Sequence, residues 1–419
     1  MICGLCLMER FIANRLYSQN DSVREGTRPA MVIATIGVAL GLLVMVLSIA
    51  VTRGFRNEIR AKVTGFTQDI QLTNYGSQIG ADEVPITCTP QFLDSILSAG
   101  NVSHAQRYAQ KAGILRTDSA FQGIILKGVG QEYDFSFFSQ CLEEGSLPEC
   151  TDSVASGGLL LSRALADKLM LSVGDRVDVY FMQDRIRMRR LALTGIYKTD
   201  FSSYDDLYGI TDIHTMQQLN GWNSTQSGGV EIAVEDDNRL YDAYLAIHSA
   251  LENTSEQTGE QYLVRTTEQI NAGLFAWLDV LNVNVWVILV LMLGIAGFTM
   301  ISGLLIIIFE KTRTIGMLKA LGASDASVRR IFLYLSARIV GKGMLIGNIL
   351  GIGLCLAQRY FKIIPLDPKN YYLDSVPCEL GVGWLLALNL TMFLLSMLML
   401  VGPSAVISRI SPSRSIRFE

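Results

Sequence analysis

The sequence has little charge and none of the short motifs that mark the commonest enzyme classes. Only 18% of its 419 residues are charged, the formal net charge is -4, and the mean hydropathy is +0.32. It contains no P-loop (GxxxxGK followed by Ser or Thr), no GxSxG turn and no HExxH pair, and its three histidines show no zinc-ligand spacing. These absences exclude a P-loop ATP-binding subunit and argue against an enzyme. The mild acidity also argues against a nucleic-acid partner.

Apolar residues are concentrated in four long runs, near 30–52, 284–309, 337–357 and 381–402. Each run reaches the roughly 20 residues needed to cross about 30 Å of hydrocarbon. Only Arg338 and Lys342 intrude, near one end of the third run. Ion and proton pathways usually place charge at mid-membrane, so a channel or secondary transporter is disfavoured. No cleavable signal peptide is predicted, and the first run is expected to remain as an anchor.

Basic residues cluster on one side of these spans. They precede the first span, separate the second from the third and follow the fourth: Arg10, Arg15, Arg24 and Arg28; Lys311, Arg313, Lys319, Arg329 and Arg330; Arg409, Arg414 and Arg417. The positive-inside rule therefore places both termini and the segment 310–332 in the cytoplasm. The stretch between the first two spans and the loop at about 359–379 then lie outside.

The outer stretch of roughly 220 residues has mixed α and β patterns and is long enough for one or two domains. Apolar and polar residues alternate over 177–181 and again over 186–188, which predicts a hairpin, and 230–234 predicts another strand. Helical patterns cover 162–169 and 238–251. The predicted fold class is an α-helical membrane protein with four transmembrane helices and a large mixed α+β extracytoplasmic domain between helices 1 and 2.

Helical periodicity continues beyond the first two spans. The stripes are Phe55, Ile59 and Val63 after the first span, and Leu274, Trp277 and Leu281 before the second, with Thr266 or Thr267 as the N-cap. Neither junction is rich in Gly, Ser and Pro, so we interpret both as stalk helices, with these residues in packing rather than substrate contact. Small residues four apart predict helix-packing faces at Gly37, Gly41, Gly343, Gly347 and Gly351.

Two features leave alternatives open. The stretch 8–17 has an apolar side and is interpreted as an interfacial helix on the cytoplasmic surface, the alternative being a disordered tail. Of the seven cysteines, Cys141 and Cys150 are candidates for an external disulfide, and unpaired thiols are the alternative.

The segment between the second and third spans is basic and amphipathic. At helical spacing Ile315, Leu318 and Leu321 share one face, while the charged residues Glu310, Lys311, Arg313 and Lys319 lie largely off it, and Gly322 follows. A helix of this kind at the inner membrane face can be pushed by a partner. The alternative is a solvated loop that merely obeys the positive-inside rule.

Three stretches carry a resemblance to a known family. They are Gly54-Phe55-Arg56-Asn57-Glu58 after the first span, Glu310–Gly322, and a tail with Pro403, Arg409, Pro412, Arg417 and Glu419. Together they resemble the lipoprotein-releasing ABC transporter permeases of the LolC/LolE type, in the MacB/FtsX superfamily. Thr314 and Arg414 depart from the pattern. The loop 182–190 is short and basic where LolC has a chaperone-binding hairpin, so no chaperone-binding residues are assigned.

The resemblance implies a permease subunit that releases lipoproteins from the bacterial inner membrane toward a periplasmic carrier. A separate cytoplasmic ATPase would bind the ATP, so no cofactor is expected on this chain. In that family Glu310–Gly322 corresponds to the coupling helix, which implies that Ile315, Leu318 and Leu321 fill a groove on the ATPase while Glu310, Lys311, Arg313 and Lys319 set its orientation. The other implied partners are a second permease subunit (the same or paralogous), an acylated lipoprotein, membrane lipid and a periplasmic chaperone.

The predicted domains follow from this interpretation. They are a cytoplasmic N-terminal helix (1–28), transmembrane helix 1 with its stalk (29–66), a periplasmic domain (67–265), a stalk with transmembrane helix 2 (266–309), the coupling helix (310–332), transmembrane helices 3 and 4 (333–402) and a cytoplasmic tail (403–419). Two alternatives remain: another MacB/FtsX-type permease, for efflux or cell-wall hydrolase control, and a non-transport membrane sensor or adhesin.

Overall fold

The structure is a computed structural model that describes residues 27–78, 83–117, 120–151, 155–182 and 186–404. The interfacial helix predicted at 8–17 and the tail residues beyond 404 lie outside these ranges. The chain divides into two compact units. The first contains the chain up to Arg56, Trp277–Pro365 and the chain from Ser375 onward, and the second contains Asn57–Ala276 with Leu366–Asp374.

The helices are α1 (Thr27–Thr67), α2 (Pro90–Leu97), α3 (Ser136–Cys141), α4 (Arg163–Leu169), α5 (Ser202–Asp205), α6 (Ile213–Asn220), α7 (Leu240–Thr258), α8 (Thr267–Ile270), α9 (Ala272–Glu310), α10 (Thr312–Ala320), α11 (Asp325–Phe361), α12 (Pro368–Tyr371) and α13 (Val382–Ser404). The strands are β1 (Ile70–Asn74), β2 (Ile86–Thr87), β3 (Val102–Arg116), β4 (Phe121–Val129), β5 (Leu142–Gly145), β6 (Gly158–Ser162), β7 (Arg176–Phe181), β8 (Arg187–Tyr197), β9 (Tyr208–Asp212), β10 (Gln226–Ser227), β11 (Gly229–Val234) and β12 (Tyr262–Thr266).

Four helices of the described chain, α1, α9, α11 and α13, are long and apolar enough to cross a membrane. They confirm the four predicted spans, and the α+β domain between the first two confirms the predicted fold class. In the first unit their buried side chains form one core, which includes Leu42, Leu304, Phe332 and Leu400. Helix α11 begins earlier than the predicted third span, because Ser324 caps it: the Ser324 hydroxyl accepts from the Ser327 N–H at 3.3 Å.

Small residues let these helices approach closely. Gly37 and Gly41 face α9, while Gly343, Gly347 and Gly351 face α1. A methyl group added at Gly347 would lie only 2.7 Å from the Ala39 carbonyl oxygen, which is closer than ordinary contact allows. A polar contact adds to the packing of α11 on α13: the Asn348 and Asn389 side-chain amides donate to each other at 2.7 and 3.1 Å. Such pairs stabilise helix contacts inside a membrane.

The second unit is built around β3, a strand of 15 residues. The strands β3, β4, β9, β6, β8 and β7 pair in that order, and β7 pairs again with β3, so the pairings form a closed ring. A second group, β12, β1 and β11, extends from the other part of β3. Each group has its own core: the ring encloses residues such as Leu126 and Phe181, and α2 and α7 contribute to the core that contains Leu72 and Ile247.

The local predictions for this unit agree with the structure. β7 and β8 form an antiparallel hairpin in which Val177 lies opposite Leu191. The predicted helices correspond to α4 and α7, and the predicted strand 230–234 lies within β11. Thr266 caps the short helix α8 in a reciprocal capping box with Gln269, so the long helix α9 begins only at Ala272.

Candidate functional site

The segment after α9 folds as a short helix, α10, joined to α11 by a tight turn. Gly322 occupies this turn with φ +95°, a left-handed conformation that favours glycine. At the end of α10 the Lys319 side chain is 8% exposed and pairs with Asp325 at 2.9 Å. Lys319 therefore fixes α10 to the N-terminus of α11. The prediction that Lys319 helps to orient a partner stays a prediction.

The apolar face predicted for this segment is divided between the protein's own core and solvent. Ile315 is fully buried in the core of the first unit, and Leu318 is partly buried against it. Leu321, one residue beyond the end of α10, is 85% exposed. Ile315 therefore supports α10 from inside, and its predicted contact with a partner stays a prediction.

The exposed face of α10 is different from the one that was predicted. Arg313, Met317 and Leu321 are all exposed and are spaced four residues apart, so they follow one side of the helix. Glu310 is also exposed, and Lys311 is half-buried. Met317 was missed by the sequence analysis, although its spacing of four from Arg313 and from Leu321 was a signal that could have identified it. Arg313, Met317 and Leu321 therefore form a mixed basic and apolar strip that is exposed in this structure.

The residues predicted for the first stalk are buried in α1. Phe55, Ile59 and Val63 are at most 9% exposed. The Phe55 ring packs edge-on against Trp277, with ring centroids 6.5 Å apart. On α9 the predicted residues Leu274, Trp277 and Leu281 are half-buried, and the most buried positions nearby are Phe275 and Leu278.

At its C-terminal end α1 carries Phe66 into an aromatic cluster of the second unit. The centroids of five rings lie 4.7 to 6.3 Å from that of Phe66, namely Phe137, Phe138, Tyr197, Tyr204 and Tyr208. Phe66 itself is 2% exposed. Aromatic contacts of this kind contribute beyond the area that they bury. The end of α1 is thus held by side chains from several elements of the external domain.

A buried ion pair lies beside this cluster. The Lys127 ammonium donates to both Glu231 carboxylate oxygens, at 2.7 and 2.9 Å, and to the Phe66 carbonyl oxygen. The Glu231 carboxylate also accepts from the side-chain amides of Gln106 at 2.9 Å and Gln71 at 3.4 Å. Neither charged side chain is more than 2% exposed. Because Phe66 is the penultimate residue of α1, Lys127 places a positive charge at the negative end of that helix.

Strand register explains how two distant residues meet. Glu231 on β11 lies opposite Gln106, and Lys127 on β4 lies opposite Gln110, so β3 runs between them. The Lys127 ammonium lies 5.6 Å from the ring centroid of Tyr108, which is the intervening residue on this face of β3. Burial lowers the pKa of Lys127, and the adjacent Glu231 carboxylate opposes this change.

A polar cavity of about 620 Å³ opens next to this network. Its lining includes Gln71, Tyr108, Tyr208, Arg265 and Glu83. Burial raises the pKa of Glu83 to about 7, although the carboxylate accepts a hydrogen bond from the Gln110 N–H at 2.8 Å.

The candidate cysteine pair is not joined. Cys141 and Cys150 are both half-buried and form no disulfide with each other, and the Cys150 thiol donates to the Pro148 carbonyl at 3.7 Å. In the basic β7–β8 hairpin, two of the arginines are engaged in hydrogen bonds within the domain. Arg190 makes two hydrogen bonds to Asp178, at 2.7 and 3.0 Å, and Arg187 donates to the Leu219 carbonyl.

Comparison with protein families gives two matches that together cover most of the chain. The profile of the MacB-like periplasmic core domain matches residues 31–247, and that of the FtsX-like permease C-terminal region matches residues 286–412. The first match alone covers half of the chain. The helices α1, α9, α11 and α13 and the external α+β domain all lie wholly or partly within these two matches.

Individual relatives are similar over nearly their whole length. The chain is 24% identical to the lipoprotein-releasing system transmembrane protein LolC of Xylella fastidiosa over 403 residues, 92% of each chain. It is 21% identical to LolE of Haemophilus influenzae over 400 residues, 91% of this chain and 92% of that protein. Among solved structures, the periplasmic region of MacB from Actinobacillus actinomycetemcomitans is 14% identical, with a TM-score of 0.35, over 50% of this chain and 92% of that one.

Proposed function

This chain belongs to the MacB/FtsX family of permeases, as a LolC/LolE-type member, and on that premise we propose that it is the membrane subunit of an ABC transporter that releases lipoproteins. In this proposal it extracts acylated lipoproteins from the inner membrane and passes them toward a periplasmic carrier. ATP is hydrolysed on a separate cytoplasmic ATPase. A second permease subunit, identical or paralogous, completes the membrane part.

The observation that carries the proposal is the extent of the similarity to LolC and LolE. The match covers 92% of this chain and 92% of the LolC relative, so the spans, external domain and cytoplasmic segment are all included. The macrolide export protein MacB of Wolinella succinogenes is 19% identical, but this chain spans only 53% of its length. The proportions of the chain are therefore those of the lipoprotein-releasing permeases.

The physical design supports the same function. Helix α1 is unbroken from Thr27 to Thr67, and it ends in the contacts made by Phe66 with the aromatic cluster and with Lys127. A displacement of α1 would therefore act directly on the external domain. Helix α13 contains no charged residue, and the longer helices carry most of theirs toward the ends, which suits a substrate whose anchor is itself apolar.

The proposed ATPase contact is the exposed strip of α10. Arg313, Met317 and Leu321 would meet the ATPase, while Ile315 and Lys319 hold α10 in position from the inside. Both termini would then be cytoplasmic and the large domain periplasmic. The chain would bind no cofactor itself.

Co-purification tests the proposed partners. The tagged full-length protein is isolated in mild detergent and the accompanying proteins are identified by mass spectrometry. We expect a soluble ATPase, a second permease if the pair is heteromeric, and acylated lipoproteins. An ATPase with cell-wall hydrolases instead of lipoproteins would favour FtsX-like control, and an intact sample without any ATPase would favour a sensor or adhesin.

A further inference from the structure

Two cysteines meet at the external side of the first unit. Cys355 lies near the C-terminal end of α11 and is 1% exposed, and Cys378 lies just before α13 and is half-buried. Both thiols are free, and they are hydrogen-bonded to each other. A disulfide requires the two sulfurs to come to about 2 Å from each other, which demands two cysteines already placed side by side.

The chain topology places this pair on the oxidising side of the membrane. Helix α1 leads into the domain that matches the MacB-like periplasmic core, α9 returns, and α11 crosses outward again. The loop between α11 and α13 therefore lies on the same side as the periplasmic domain. Disulfides form and persist in such compartments, whereas cytosolic thiols are kept reduced.

The segment that carries Cys378 is closely fitted to α1. We call residues Val376–Glu379 the clasp segment. The Glu379 N–H donates to the Ala50 carbonyl at 3.0 Å. At Gly54 a methyl group would lie 2.7 Å from the Pro377 carbonyl oxygen, so the clasp segment and α1 approach as closely as a glycine permits. The clasp segment thus lies on α1 while its cysteine contacts α11.

The same segment is also anchored to the end of α11 through Gln358. The Gln358 side-chain amide donates to the carbonyls of Ile364 and Val376 at 3.3 and 3.2 Å, and its oxygen accepts from the Ile364 N–H at 3.1 Å. Gln358 lies one helical turn from Cys355 on α11. The local backbone is therefore already ordered around the two thiols, and a covalent bond would require little rearrangement.

We propose that Cys355 and Cys378 form a disulfide in the mature protein, and that this bond fastens the clasp segment, and through it the part of α1 around Ala50 and Gly54, to α11. The Cys378 thiol, being the more exposed, loses its proton and attacks the disulfide of an external thiol-oxidising protein, releasing one of its sulfurs as a thiol. Cys355 then loses its proton and attacks the Cys378 sulfur of the mixed disulfide, and the second sulfur of the oxidant leaves. The pair loses two electrons and two protons, and the oxidant is reduced to a dithiol.

Direct mapping tests the bond. Cells that produce the full-length protein are quenched in acid, free thiols are alkylated under denaturing conditions, and the protein is digested without reductant. Trypsin places Cys355 alone on fragment 343–359 and Cys378 alone on fragment 370–409. We expect most molecules to yield a linked pair of fragments whose mass is the sum of the two fragment masses less two hydrogens. This linked species should disappear when the digest is reduced. Alkylated Cys355 and Cys378 in most molecules would overturn the proposal, as would a linkage of Cys378 to any other thiol.

Hydrogen exchange tests the role of the bond. The Glu379 amide is expected to exchange several-fold faster after reduction of the wild-type protein. The variant C355A/C378A is expected to exchange at the reduced rate with or without reductant, while C141S/C150S, a control with two other external cysteines, is expected to behave as wild type. An unchanged Glu379 rate on reducing a verified disulfide would show that the bond does not hold the clasp segment. Neither measurement depends on lipoprotein release, so their failure is distinguishable from failure of the proposed function.

Discussion

Removing the Lys127 ammonium should destabilise the external domain more than any exposed charge can. In Lys127→Met the Glu231 carboxylate, which is fully buried, keeps only the amide donors of Gln106 and Gln71. The Phe66 carbonyl at the end of α1 loses the ammonium donor as well. Breaking a buried pair by removing one partner typically costs about 3 to 5 kcal/mol, and we expect Lys127→Met to fall in that range.

The double variant K127M/E231Q separates the charge from the packing. A glutamine at 231 can accept from Gln106 and leaves no unpaired carboxylate, so the remaining cost is chiefly the unsatisfied Phe66 carbonyl, about 1 to 3 kcal/mol. We therefore expect the second substitution to restore roughly 2 kcal/mol. Arg239→Met is the matched control, because Arg239 pairs with Asp242 at 3.2 Å with both side chains 61% exposed. Its expected cost is below about 1 kcal/mol.

Amide hydrogen exchange of the full-length protein in nanodiscs measures these differences. Each factor of ten in protection corresponds to about 1.4 kcal/mol of opening free energy. The most protected amides of β4 and β11 should therefore exchange roughly a hundredfold or more faster in Lys127→Met, and at intermediate rates in the double variant. The reasoning fails if Lys127→Met resembles Arg239→Met, or if the double variant is no more protected than the single one.

Three further results are expected. Because the Glu83 pKa is raised to about 7 from its usual 4.5, its contribution to stability is present below pH 4.5 and lost as pH rises through 7. Wild type should therefore lose about 2 to 3 kcal/mol of stability between pH 5 and pH 8, and Glu83→Gln should not. Gly347→Ala should destabilise the protein by about 1 to 3 kcal/mol and so lower its thermal midpoint, because the added methyl meets the Ala39 carbonyl. Gly353→Ala adds a methyl to open space and should leave the midpoint unchanged. Leu321→Asp should reduce ATPase recovery about tenfold, equivalent to roughly 1.4 kcal/mol, while Ala326→Asp leaves it unchanged.

Each expectation has a specific contrary result. Equal pH profiles for wild type and Glu83→Gln would show that this carboxylate does not control the stability change. Equal midpoints for Gly347→Ala and Gly353→Ala would contradict the close approach of α11 to α1. Undiminished ATPase recovery with Leu321→Asp would remove the exposed strip of α10 from the proposed contact, whereas loss of membrane insertion would indicate a folding defect.

The membrane architecture could be predicted because a bilayer imposes strong constraints on sequence. Backbone polar groups must be satisfied within each spanning helix, so four apolar runs led directly to α1, α9, α11 and α13. Strong local signals also held in the external domain. The alternation over 177–181 and the helical pattern over 162–169 each gave the correct element, β7 and α4.

Helix α10 shows what helical periodicity alone cannot predict. The spacing of Ile315, Leu318 and Leu321 identified an amphipathic helix, but it did not say whether the apolar face covers the protein's own core or a partner. In the structure Ile315 faces the core and Leu321 lies beyond the end of the helix. The sequence pattern was also silent on Lys319, whose pairing with Asp325 depends on the turn between α10 and α11.

The buried ion pair could not be found from sequence. Lys127 and Glu231 are more than a hundred residues apart, and each taken alone resembles an ordinary exposed charge within a strand. Their contact depends on both β4 and β11 lying beside β3 in one register. The contact of Cys355 with Cys378 depends in the same way on how the loop before α13 returns to α11. Long-range pairing of this kind follows from the tertiary fold.

The most direct test of the central claim is lipoprotein release itself. The purified permease, its co-purified ATPase and any second permease are reconstituted in liposomes with an acylated lipoprotein, and release into the soluble phase is measured with and without ATP and a periplasmic carrier fraction. A lipoprotein-releasing permease predicts release that requires ATP, the carrier fraction and this chain together. Retention of the lipoprotein in the membrane by a complex that still hydrolyses ATP would contradict the assignment.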